Sequence, residues 1–231
     1  MTTEDKTRIR NAATVIVLRD AGSAPHILMG QRGANAAFMP NKFVFPGGAV
    51  DAADADVPLA SALPAACAAR LREDSVADIG PALAAAAIRE LWEETGQILG
   101  TPGAWPDAPP DWQAFASAGF LPHAAPLKFF FRALTPPGRP RRFDARFFLV
   151  AADALVSDPD DFSAASDELS HLQWVPLAEA RRFDMPFITE VVLSEVQGML
   201  SGKPPLDSVP FFKNSDEESL FLRLRGYPMP G

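Results

Sequence analysis

Glu90, Glu93 and Glu94 stand at i, i+3 and i+4 within AAIRELWEETGQ (residues 86–97). On an α-helix that spacing turns all three carboxylates to one face. Like charges so placed repel, at roughly 0.2–0.5 kcal/mol per exposed pair. A hard dication such as Mg²⁺ or Mn²⁺ would convert the repulsion into binding, because both prefer carboxylate oxygen. The plain alternative is a solvated acidic face. Arg89 adjoins the cluster and can pair with one carboxylate, while Thr95-Gly96 offers a glycine for a left-handed C-terminal cap that would fix the last turn. Upstream, FVFPGGAVD (43–51) sets a strand against a Pro-Gly-Gly turn, whose glycines permit positive φ and close backbone approach to a ligand.

Strands and helices alternate around these residues. AATVIVLRD (12–20) is rich in β-branched side chains and breaks at AGSAP, so it reads as a buried strand with HILMGQR (26–32) as its hairpin partner. The Ala-rich stretch 52–85 carries Pro58, Pro64 and Pro81 as helix starts and predicts two helices, the second running into the glutamates. Residues 101–126, with a short helix DWQAFASAG, read as a surface excursion on which Trp105 and Trp112 could cover a ligand. LKFFFRALTPP and ARFFLVAAD predict two strands joined by the arginine-rich GRPRRFD, and their phenylalanines are assigned to the core. LSHLQWVPL predicts a further strand, LAEARRFD and PFITEVVLSEVQGML predict helices, and SLFLRLRG an edge strand. The result is an α/β protein, a mixed sheet between helices with 52–85 as a helical insertion.

Bulk composition narrows the function classes. The 231 residues carry 48% hydrophobic side chains and a net charge of −8. That length suits one large domain over 1–231. An acidic chain lacks the Lys and Arg excess that phosphate neutralisation requires, which argues against nucleic acid as a partner. No apolar run approaches a membrane span, the N-terminal MTTEDKTRIRN lacks a signal peptide's apolar core, and the single cysteine, Cys67, excludes an intrachain disulfide. These features predict a cytoplasmic protein without a membrane partner. His26, His123 and His171 are too dispersed to suggest a site.

RELWEETG is similar to the second half of the Nudix box, G-x5-E-x7-R-E-U-x-E-E-x-G-U with U aliphatic. Arg89, Glu90, Leu91, Glu93, Glu94 and Gly96 match, and Gln97 stands where U is expected, with Ile98 just beyond. FPGGAVD resembles the entry to the box, with Gly48 as its first glycine. Gly48 and Arg89 lie 41 positions apart instead of 14, leaving 27 extra residues. An insertion at this point, together with PNKFVFPGGAVDAAD, resembles the peroxisomal coenzyme A diphosphatase subgroup. Asp51, Asp54 and Glu73 all remain open as the box's first acid.

The resemblance implies a Nudix-type α/β/α sandwich and a metal-dependent pyrophosphohydrolase that splits a nucleoside diphosphate linked to another moiety, such as a coenzyme A derivative or nucleotide sugar. It also implies Mg²⁺ or Mn²⁺ held by Glu90, Glu93, Glu94 and the Gly47 carbonyl, with Arg89 orienting a glutamate. Glu168, on the loop before a tryptophan-bearing strand, is the candidate base or extra metal ligand, with a surface loop acid as the plain alternative. Arg32 belongs to ILMGQRG, which precedes FPGG as in the coenzyme A signature, although Gly33, Ala37 and Asn41 depart from it. Arg142 and Arg146 are candidate bidentate contacts to substrate phosphate, with an ordinary surface ion pair as the alternative for each. A homodimer through the apolar helix 187–200 is one use of that helix, and its own core is the other. A silent, nucleotide-binding Nudix regulatory domain is the alternative function, and such a domain is expected to have lost one of the glutamates.

Overall fold

The computed structural model describes residues 8–36, 39–75, 77–202, 207–215 and 218–227; Ala37, one of the signature departures, lies outside them. The first hairpin forms as its alternation predicts, from β1 (Ile9–Arg19) and β2 (His26–Arg32). Two short strands follow, β3 (Phe43–Val44) and β4 (Gly47–Ala49). A 3-10 turn at Ala52–Asp56 leads to α1 (Ala65–Arg72) and α2 (Gly80–Thr95). Pro64 caps α1 and Pro81 opens α2, where a missing N–H costs nothing. Pro58 starts no helix.

β5 (Gly100–Pro102) and β6 (Phe120–Pro122) make a separate small ladder around α3 (Gln113–Ser117). β7 (Lys128–Leu134), β8 (Arg142–Ala151) and β9 (Leu169–Pro176) come next, then α4 (Phe187–Leu200), β10 (Val209–Asn214) and β11 (Ser219–Leu224). The main sheet runs β11-β10-β7-β8-β1-β2-β3, with β4 also on β1 and β9 also on β2. β1–β8 and β10–β7 are parallel and the remaining pairs antiparallel, so the sheet is mixed.

Period-two alternation sorts the side chains between two cores. Ala13, Val15, Val17, Phe148 and Val150 face α2, while Ile16, Leu18, Phe147 and Leu149 face α4. The alanines at 82–87 contribute little transfer free energy themselves but let α2 lie close to β1, so that Leu83, Ile88 and Leu91 reach full burial, each stabilising by roughly 1.5–3 kcal/mol. α4 turns Val192, Leu193 and Val196 into the protein's own core, while Phe187 and Met199 on the same helix stay exposed.

Three expectations are corrected. The 101–126 excursion is not superficial: Trp112 and Phe115 are buried and pack edge to face 5.3 Å apart, so Trp112 cannot cover a ligand. LAEARRFD makes only one 3-10 turn, Ala180–Arg182, because Phe183 leaves the helical path and packs on Phe43 at 4.7 Å. The Pro-Gly-Gly segment runs on as strand β4, in register with β1 through Thr14↔Gly47 and Ala12↔Ala49. β10 went unforeseen, since Pro210 interrupts its pattern. Among the described residues no helix is long and apolar enough to cross a membrane.

Candidate active site

α2 ends where its sequence says it should. Gly96 adopts φ 71° and its N–H donates to Trp92 O at 2.7 Å, closing the helix with a left-handed cap. The acidic face is not solvated. Glu94 is 1% exposed and Glu90 is 8% exposed, both pressed toward β4. Gly47 N–H donates to Glu94 Oε2 at 2.7 Å. A Cβ at Gly47 would fall 2.5 Å from Ala13 O, and one at Gly48 would fall 2.6 Å from Glu90 Oε2. Backbone approach therefore requires glycine at 47, while a side chain at 48 would displace the Glu90 carboxylate.

Arg89 organises the cluster. Its Nε and Nη2 each donate to Asp54 at 3.0 Å, Nη1 donates to Glu90 Oε1 at 2.9 Å and to Glu93 Oε2 at 3.2 Å, and Nη2 also reaches Ala49 O at 3.1 Å. Asp54 is 2% exposed, in the 3-10 turn that opens the insertion. It lies six positions after Gly48, the spacing of the box's first acid, so counting forward from the glycine singles it out from Asp51 and Glu73. Asp51 is half-exposed and reaches Arg89 only at 3.7 Å. Glu73 instead accepts the Arg225 and Gly226 N–H groups.

Burial pushes the Glu90 carboxyl up to about 7, against the opposing pull of Arg89 and with Glu93 and Glu168 adding to the rise. Burial also raises Glu94 well above the usual carboxylate range, helped by Glu90 and opposed by the Gly47 N–H. Glu93 rises for the same first reason, restrained by Arg89. Burial alone would lower the Arg89 guanidinium, but the Asp54 hydrogen bonds and surrounding carboxylates more than offset it.

Glu94 Oε1 is buried and without a hydrogen-bond partner. That orphaned oxygen, among hard carboxylate donors, fits a divalent cation. Glu90 and Glu93 are committed to Arg89, and among the described residues no three His, Cys, Asp or Glu side chains already converge at ligating distances. Binding would exchange an Arg89 contact for the ion.

A linkage test follows from these shifts. Between about pH 4.5 and 7 the folded metal-free protein holds more protons on Glu90 and Glu94 than the unfolded chain, so its stability falls as pH rises through that window. With chelator present, the melting temperature is expected to drop by several degrees from pH 5 to pH 8, and Mg²⁺ is expected to restore it at pH 8. A curve that is flat in chelator and indifferent to Mg²⁺ would contradict this.

Glu168 precedes β9 and its Oε1 lies 3.4 Å from Arg32 Nη2. The loop carrying it is pinned to α2: Ser166 N–H donates to Glu93 O at 2.8 Å, and buried Gln97 donates to Asp158 O and Asp161 O while accepting from Ser157 Oγ. Gln97 thus serves as a loop anchor where the box has an aliphatic residue. Glu168, Arg32, Gly47, Gly48, Glu90 and Glu93 line one cavity of about 550 Å³, whose remaining wall includes Phe143, Phe147, Phe187 and Phe212.

Arg146 is 1% exposed, bonded to Asn11 Oδ1 at 2.7 Å and to Asp144, and lines no part of that cavity. It is a core cation, correcting its assignment as a phosphate contact. Arg142 also lies outside the cavity, with its Nε donating to Thr135 O.

The mixed sheet between two helical layers, with its buried glutamates against a glycine strand, defines an α/β/α sandwich. The model for the NUDIX domain matches residues 76–195, just over half of the sequence, and the chain belongs to the Nudix family. It is 30% identical over 179 residues to "Putative nudix hydrolase 7" of Caenorhabditis elegans, a match covering 72% of this chain and 51% of the relative, so the chain spans about half the length of the curated relative it matches. Among solved structures it is similar to a NUDIX hydrolase from Alicyclobacillus acidocaldarius, with a TM-score of 0.60 and 29% identity over 82% of this chain and 91% of that one.

Proposed function

We propose that residues 1–231 form a single Nudix domain, interrupted at about 52–85, that hydrolyses the diphosphate of a nucleoside diphosphate linked to a second moiety. Coenzyme A derivatives and nucleotide sugars are the substrate classes, and Mg²⁺ or Mn²⁺ is the cofactor. The carrying observation is the orphaned, buried Glu94 oxygen beside Glu90 and the glycine strand. A buried carboxylate oxygen without a partner calls for a physical explanation, and a bound cation supplies one. Glu90, Glu93, Glu94 and the Gly47 carbonyl would hold the ion, which when bound lowers the pKa of water and neutralises phosphate oxygens.

The chain's own residues supply the rest. Arg89, fixed by Asp54, holds Glu90 and Glu93 in place. Arg32 at the cavity wall offers a planar donor fork to a phosphate. Glu168 accepts the proton of the water that attacks phosphorus as the bridging P–O bond breaks. Its side chain is 58% exposed, so solvent can relay the proton onward. Glu168→Gln is expected to lower kcat by roughly 10²–10⁴-fold with little change in KM. An unchanged kcat would remove Glu168 from that role.

The reading is tested by incubating the purified chain with coenzyme A, ADP-ribose, dinucleoside polyphosphates and NADH, with Mg²⁺ and with chelator. Metal-dependent release of two phosphorylated products from at least one supports it. Binding without turnover across the panel would instead indicate a silent regulatory domain.

A further inference from the structure

The segment between Ala154 and Leu169, which delivers Glu168 to the cavity, forms neither helix nor strand. A base carried there needs a fixed position, since a misplacement of about 1 Å can cost on the order of 10²-fold in rate. We infer that Gln97 is a positioning residue for Glu168, joining the loop that carries the base to the helix that carries the proposed metal glutamates. The inference rests on the hydrolase reading above and deepens it: one buried amide sets the distance between the two halves of the site.

Gln97 directly follows the Gly96 cap of α2 and is fully buried. An amide so placed needs partners for its donors and its acceptor. Nε2 donates to Asp158 O at 3.2 Å and to Asp161 O at 2.9 Å, while Oε1 accepts from Ser157 Oγ at 2.8 Å. All three side-chain bonds go to the loop. Asp161 N–H also donates to Asp158 O at 3.1 Å, so the two carbonyls belong to one turn and a single planar amide grips both. An aliphatic side chain could fill the same space but could hold neither carbonyl.

Backbone contacts extend this attachment in both directions. Ser157 Oγ accepts from Ile98 N–H at 3.0 Å and Val156 N–H donates to Ile98 O at 2.9 Å, so the start of the loop runs beside the chain leaving α2. Toward the far end, Ser166 N–H donates to Glu93 O at 2.8 Å, meeting one of the last-turn carbonyls that a helix leaves without internal donors. Glu168 follows two residues later. Between these points Trp174 Nε1 donates to Pro159 O at 2.9 Å and Arg19 Nη1 to Asp160 Oδ1 at 2.7 Å. Those two bonds tie the loop to β9 and β1, whereas Gln97 is its side-chain link to the glutamate helix.

The test is a double-mutant cycle between Gln97→Leu and Glu168→Gln, read by steady-state kinetics on the diphosphate that the wild type hydrolyses, with Mn²⁺ dependence and thermal melts recorded on the same preparations. Gln97→Leu alone is expected to lower kcat by about 10–100-fold, with KM and the half-saturating Mn²⁺ concentration changed less than about threefold. In the Glu168→Gln background the same change is expected to alter kcat less than about threefold, because the base it positions is already gone. Ser157→Ala, which removes one contact of the amide, is expected to lower kcat severalfold with Glu168 present and not in its absence, and it carries the test if Gln97→Leu does not fold. Equal losses in both backgrounds, a raised Mn²⁺ requirement that accounts for the fall in kcat, or full activity in the single variants would each overturn the role. An active wild type with additive losses would sink this role alone, whereas a wild type inert toward the whole diphosphate panel would sink the hydrolase reading and this role with it.

Discussion

Glu94→Gln is expected to lower kcat on a diphosphate substrate by on the order of 10³-fold while raising the melting temperature of the metal-free protein. Both effects come from one oxygen. Glu94 Oε2 is satisfied by the Gly47 N–H, but Oε1 is buried without a partner, and burial raises the carboxyl's pKa, with the charges of Glu90 and Glu168 adding to the rise. The charged carboxylate is thus a cost to the empty fold. An isosteric amide still accepts from Gly47 and removes the like-charge repulsion, so the chain should melt several degrees higher at pH 8 in chelator. The same change removes a negative donor from the proposed cation site, where several kcal/mol of charge stabilisation, about 4 for 10³-fold, would be required of the ion. Steady-state kinetics and thermal melts on one preparation check the pair. A variant both active and no more stable would show that the buried charge serves neither purpose.

Asp54→Ala is expected to cost about 3 kcal/mol of stability, or roughly 10 °C in melting temperature for a chain of this size. Asp54 is buried and takes both Nε and Nη2 of Arg89, so its loss leaves a buried guanidinium without its bidentate pair. Arg89 would then be free to follow Glu90 and Glu93, and activity should fall by a further 10–100-fold, as when a metal ligand's supporting group is lost. Asp51→Ala is the control. Its carboxylate is 59% exposed and 3.7 Å from Arg89, so about 0–1 kcal/mol is expected. Equal losses from the two variants would show that the bidentate pair is not what holds the cluster.

The fold was legible where pattern and packing agree. The β1–β2 hairpin, the FFF and RFF strands, the glutamate helix with its Gly96 cap and the edge strand all follow from alternation, helical spacing and a terminating glycine. Legibility ended where tertiary contacts overrode local signals. The Pro- and Gly-rich 101–126 segment looks superficial, but Trp112 and Phe115 carry enough apolar surface to draw it into the core. Arg146 looks like a phosphate ligand in a one-dimensional reading, and only the parallel pairing of β1 with β8 places Asn11 beside it in register with Asp144. The site was readable in its helix and glycines. Its missing acid was readable too, by counting from Gly48 to Asp54, whereas the Arg32–Glu168 pairing joins residues 136 positions apart and needs the folded sheet.

Soaking crystals in MnCl₂ and recording anomalous scattering at the manganese edge tests the central claim most directly. The expected result is a peak bounded by Glu90, Glu94 and the Gly47 carbonyl, with Glu94 Oε1 no longer alone. Strong density elsewhere, with Glu94 still facing only the Gly47 amide and the enzyme fully active in the same buffer, would contradict it.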